Sequence, residues 1–96
     1  MEEATARANA LKILVELESP GTPLSIDETE PTEHRPWCFV FYWNSRRYLE
    51  TGDPMSFVAG NGPIIVPVDG SAAFVLPTYD DPNVLLDEYE RDHGLT

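Results

Sequence analysis

Ile64-Ile65-Val66-Pro67-Val68-Asp69-Gly70-Ser71-Ala72-Ala73-Phe74-Val75-Leu76 sets two apolar runs on either side of an Asp-Gly pair. Asp-Gly suits a two-residue type I′ turn, and flanks of this length and character read as the strands of a hairpin. Pairing across the turn places 68 opposite 71, 66 opposite 73 and 64 opposite 75. Alternation then puts Ile64, Val66, Val68, Ala73 and Val75 on one face and Ile65, Pro67, Ala72, Phe74 and Leu76 on the other. Both faces are apolar and need cover. Pro67 lacks a ladder donor, so it belongs at a sheet edge or a bulge.

Upstream, Gly60-Asn61-Gly62-Pro63 predicts a tight turn into the hairpin, because glycine reaches positive φ cheaply and proline presets the entry. Trp37-Cys38-Phe39-Val40-Phe41-Tyr42-Trp43 is too short for a typical helix and dense in aromatic and β-branched residues. It reads as a central strand, with Trp37, Phe39, Phe41 and Trp43 on one face and Cys38, Val40 and Tyr42 on the other. Asn44-Ser45 should begin a turn, Thr51-Gly52-Asp53-Pro54 punctuates again, and Met55 to Ala59 reads as a short helical turn or irregular chain. Before the aromatic run, Leu24 and Ile26 alternate with Ser25 and Asp27 as a short half-buried strand. It passes into an acidic loop, residues 27 to 33, that contains Pro31.

Helices bracket this β-rich middle. Glu2 to Glu18 is rich in helix formers, with Ala4, Ala8, Leu11 and Val15, and Leu14 beside them, as the expected apolar stripe. Ser19-Pro20-Gly21 stops it. Near the other end, Asp81-Pro82 has the form of an N-cap followed by proline at the first helical position. Leu85, Leu86 and Tyr89 would make that helix's stripe, and Gly94 its stop. The expected fold is α+β: an N-terminal helix packed on a curved antiparallel sheet of about four strands, then a short C-terminal helix, in a single domain over residues 1–96. Leu, Ile, Val and Phe make up 24 of 96 residues. That is above the roughly one fifth below which a highly charged chain stays unfolded.

Seventeen acidic residues against six basic ones give a net charge of −11. Such a field repels phosphate backbones and anionic lipid and attracts basic protein surfaces, so neither nucleic acid nor membrane is an expected partner. The charge is uneven: −3 over residues 1–48 and −8 over residues 49–96. A lone Cys38 cannot form an internal disulfide, and no run has the length of a membrane span or the layout of a signal peptide. A cytoplasmic location is the expectation.

No motif carries reaction chemistry. Gly60-Asn61-Gly62-Pro63 lacks the Lys-Ser/Thr of a phosphate loop and precedes a strand rather than a helix. His34 and His93 lie far from each other and have no zinc-ligand spacing with Cys38. Cys38 sits between two aromatics with no adjoining base, the setting of a small buried hydrophobe rather than a thiolate. The carboxylates fall in loops or on polar helix faces, where solvated groups are expected, and Arg46 and Arg47 can pair locally with Glu50 or Asp53. No catalytic residue, cofactor or metal is assigned, and an enzyme is not expected.

The aromatic strand leading into Asn44-Ser45-Arg46-Arg47-Tyr48-Leu49-Glu50-Thr51-Gly52-Asp53, then Gly60-Asn61-Gly62-Pro63-Ile64-Ile65-Val66, then Asp69-Gly70-Ser71, resembles the YrhB family, also called the immunity protein 35 domain. The likeness is dense over residues 36–76 and looser over the N-terminal helix and Glu88-Tyr89-Glu90. Pro67 and the acidic loop 27–33 depart from it. The resemblance implies a small bacterial α+β domain associated with polymorphic toxin systems, which binds and neutralises a cognate toxin; family members are also described as chaperone-like. It brings no catalytic residues.

Charge and resemblance together point to an inhibitor that steers an acidic surface onto a basic toxin site. The candidate partner-binding residues are Asp80, Asp81, Asp87, Glu88, Glu90 and Asp92, followed by Glu28, Glu30 and Glu33. The alternatives are a chaperone-like or general protein-interaction module, then an acidic mimic of DNA. Two-sided apolar strands with only two helices to cover them also raise the expectation of a homodimer.

Overall fold

The computed structural model describes residues 1–60 and 62–95. In chain order these form α1 (Glu3–Leu17), β1 (Leu24–Ile26), β2 (Glu33–Arg35), β3 (Cys38–Phe41), β4 (Trp43–Ser45), α2 (Arg46–Thr51), a single 3-10 turn (Pro54–Ser56), β5 (Ile64–Pro67), β6 (Phe74–Val75) and α3 (Pro82–His93). One antiparallel sheet runs β2-β3-β5-β6, and β1 pairs with β4 in a second. The architecture is α+β, with a helix near each end, as expected.

The inner strands β3 and β5 are buried along their whole length because each face meets a different layer. Phe39, Phe41, Ile64 and Val66 pack against Ala6, Ala10 and Leu14 of α1 and against Leu24, Ile26 and Trp43 of the small sheet. Cys38, Val40 and Ile65 turn to the opposite side, where Leu76 and Leu85 and Leu86 of α3 complete a second cluster. The chain's own helices thus cover both faces of these strands.

The hairpin keeps its expected register, with Ile64 opposite Val75. Its turn differs. Asp69 does not adopt positive φ while Gly70 does (φ 88°), so the connection is not type I′. Gly70 N–H reaches the Pro67 carbonyl at 3.4 Å, Asp69 Oδ1 accepts from Ser71 N–H at 2.8 Å, and β6 resumes only at Phe74. Val75 is 36% exposed rather than covered. Pro67 sits where it does no harm: Val68 N–H continues the β3 ladder by bonding to Trp37 O at 2.8 Å, so the neighbouring Pro67 nitrogen faces the other side, past the end of β6. Asn61, within the turn expected at residues 60–63, lies outside the described residues.

Four other expectations are corrected. In α1 the buried stripe is Ala6, Ala10 and Leu14, while Ala4, Ala8, Leu11 and Val15 are exposed, Val15 by 67%. The helix carries two apolar stripes, both with alanines, and in the buried one Ala6 and Ala10 let the backbone lie close on the sheet. The aromatic run breaks at Tyr42: β3 stays in the large sheet, β4 crosses to β1, and Trp37, ahead of β3, packs with the α3 side rather than beside Phe39. Asn44 and Ser45 belong to β4 instead of opening a turn, and Ser45 Oγ then caps α2 by accepting from Tyr48 N–H at 3.1 Å. Finally, Glu33 at the end of the acidic loop begins β2, an exposed edge strand.

Candidate partner-binding surface

α3 is where sequence, packing and charge converge. Asp81 Oδ1 accepts from Asn83 N–H at 2.8 Å, Pro82 occupies the first turn, and Gly94 closes the helix with φ 65°. Leu85 and Leu86 anchor it on the sheet, and Tyr89 stacks with Trp37 (centroids 4.8 Å) and with Phe74 (5.3 Å). Helical spacing then places its carboxylates on two flanks: Asp87 and Glu90 toward β2, Glu88 and Asp92 toward β6.

The β2 flank is partly neutralised from within, one cation set against two carboxylates. Arg35 Nη1 donates to Asp87 Oδ1 and Glu90 Oε1, both at 2.8 Å, and Nη2 reaches Asn83 O and Oδ1 at 3.4 and 3.3 Å. The Trp37 indole N–H adds a bond to Glu90 Oε1 at 2.8 Å. Burial disfavours the Arg35 charge, but the hydrogen bonds to Glu90 and Asp87 outweigh it and raise its pKa. The bond from Arg35, then that from Trp37, holds the Glu90 carboxyl below its usual range.

The remaining candidates divide the same way. Glu28 pairs with Arg7. Glu33 Oε1 accepts from Tyr42 OH at 3.2 Å; burial, then Glu33, pushes that phenol up to about 12. Asp80 is exposed, its Oδ1 accepts from Asp81 N–H at 2.7 Å, and it has no ion pair among the described residues. Glu30, Glu88 and Asp92 have no side-chain hydrogen bond or ion pair among the described residues. The nine residues therefore differ in how much of their charge is already engaged within the fold.

Arg35 is the residue that sequence reasoning missed. One signal pointed to it, a basic residue beside the aromatic strand in a chain with only six bases. Arg47 Nε does pair with Asp53 Oδ2, at 3.2 Å. Cys38 is fully buried, and that burial pushes its thiol up to about 11, the state of an unreactive core sulfur. His93 stacks on Tyr89 at 3.9 Å near the C-terminus of α3. No group of three metal-binding side chains occurs among the described residues, and no helix there is long and apolar enough to cross a membrane.

The features above define a small acidic α+β protein whose two long helices lie on opposite faces of an antiparallel sheet. The chain belongs to the immunity protein 35 family, whose model, described as Immunity protein 35, matches residues 2–92. Comparisons with curated proteins and with solved structures give no significant match.

Proposed function

We propose that this protein is an immunity protein of a bacterial polymorphic toxin system, binding a cognate toxin stoichiometrically and covering a basic site on it with acidic surface. The observation that carries this reading is the family match, which spans nearly the whole chain. Net charge −11 supports it, since complementary fields speed encounter and fix orientation while a few anchors supply most of the affinity. Asp80, Glu88, Asp92 and Glu30 are the carboxylates with charge to spare. Asp81, Asp87, Glu90, Glu28 and Glu33 contribute to the field while capping, or pairing with Arg35, Arg7 or Tyr42. The whole chain acts as one unit in the cytoplasm, with no chemical step.

The test is co-expression with the toxin encoded beside the gene. Cells should survive, and a tagged copy should retain that toxin; loss of viability together with no retention would refute the proposal.

A second reading, the chaperone-like module allied to the YrhB likeness, rests on apolar side chains left in solvent: Met55 (90% exposed), Phe57 (49%) and Val15. It requires suppression of aggregation of unrelated clients with weak salt dependence, whereas the immunity reading requires one partner.

A further inference from the structure

We infer that the groove between β6 and the outer flank of α3 seats an extended basic segment of the protein partner, with an arginine or lysine head held between Glu88 and Asp92. The inference rests on the immunity reading and gives it a site. The groove encloses about 190 Å³, with Phe74 and Leu76 of the hairpin, Leu85 of α3 and the exposed Tyr79 ring making apolar walls for an aliphatic stem. Glu88 and Asp92 line the same groove one helical turn apart, with no basic side chain bonded to either among the described residues.

Charge complementarity chooses the occupant, and the molecule contains its own precedent. On the opposite flank of α3 a paired set of carboxylates, Asp87 and Glu90, is filled by Arg35, whose stem comes from the edge strand β2. The β6 flank offers the same elements without the cation: an edge strand, an apolar floor and two carboxylates. β6 also leaves main-chain groups for an extended chain. Leu76 N–H bonds to Pro63 O at 2.9 Å, and antiparallel alternation therefore turns the N–H and C=O of Val75 away from β5.

The experiment uses a blocked hexapeptide of alternating leucine and arginine, titrated by calorimetry and by amide chemical shift into the full chain. Wild type is compared with Glu88→Gln/Asp92→Asn and with a control of equal charge, Glu16→Gln/Glu50→Gln. Loss of two ion pairs should weaken peptide binding about tenfold in the groove variant and less than about twofold in the control. Shifts should concentrate at 74–76 and 88–92. Equal weakening in both variants, shifts spread over the surface, or no binding by wild type would overturn the inference. The cognate toxin separates the two readings: undiminished protection by the groove variant overturns the groove and leaves the immunity function standing. Peptide seated in the groove of a protein that fails to protect supports the groove and removes the immunity function.

Discussion

Arg35 Nη1 and Glu90 Oε1 lie 2.8 Å apart although the two residues are 55 positions apart in the chain. This contact ties the edge strand β2 to α3 and, with Trp37 on the same carboxylate, closes the layer beneath the sheet. It also spends on internal structure the charges that an isolated reading of α3 would assign to a partner.

Glu90 makes stability pH-dependent in a fixed direction. Its folded pKa is depressed below the usual 4.5, so the ionised pair stabilises the fold above that value and is lost as pH falls through the lower folded value. Glu90→Gln removes the charge but retains an acceptor. Thermal midpoints should show wild type above the variant at pH 7, with the gap closing below pH 4.5. A gap unchanged down to pH 3 would show that the pair does not act this way.

Phe41 of β3, 1% exposed in the cluster under α1, is a core determinant. Phe41→Ala should lower unfolding free energy by about 3–5 kcal/mol, much of the roughly 5–15 kcal/mol available to a domain. Met55→Ala, at an exposed site, should change it by no more than about 0.5 kcal/mol. Urea denaturation of both variants checks the contrast.

Gly62 is required by proximity, not by φ. A Cβ there would overlap the Leu76 carbonyl, with the carbonyl carbon only 2.8 Å away, and Gly62 O also accepts from the Trp43 indole at 2.7 Å. Gly62→Ala must therefore push the start of β5 away from Leu76. The expected cost is about 2 kcal/mol or more by urea denaturation.

Cys38 should behave as a core probe. With its thiol at about 11 and its side chain buried, it should resist alkylation at pH 8 in the native state and react once denaturant unfolds the chain. Rapid labelling of native protein would contradict that placement.

The hairpin and α3 are legible in one dimension because their determinants are local: alternation fixes 64 opposite 75, and Asp81-Pro82 and Gly94 mark their own helix. α1 is legible as a helix but not in orientation, since stripes at 4-8-11-15 and 6-10-14 both satisfy the spacing and only the sheet chooses between them. β2 is polar and exposed, so no apolar period announces it. α2 is a single short helix that depends on Ser45 as its cap. The division of α3's carboxylates is beyond any local pattern, because Arg35 reaches it through the fold.

The proposed function requires that association with a cognate toxin be steered by charge. Its on-rate should fall as salt rises, since the Debye length contracts from about 10 Å at 0.1 M to about 3 Å at 1 M. Stopped-flow mixing across that range checks this.

The most direct test of the proposed function titrates the purified protein into a fixed amount of the toxin encoded beside its gene and follows residual toxin activity. Binding and covering without chemistry predicts a linear fall to zero at one equivalent, with toxin released intact on denaturation. Complete inactivation by a small fraction of an equivalent, or full activity beside excess protein, would contradict it.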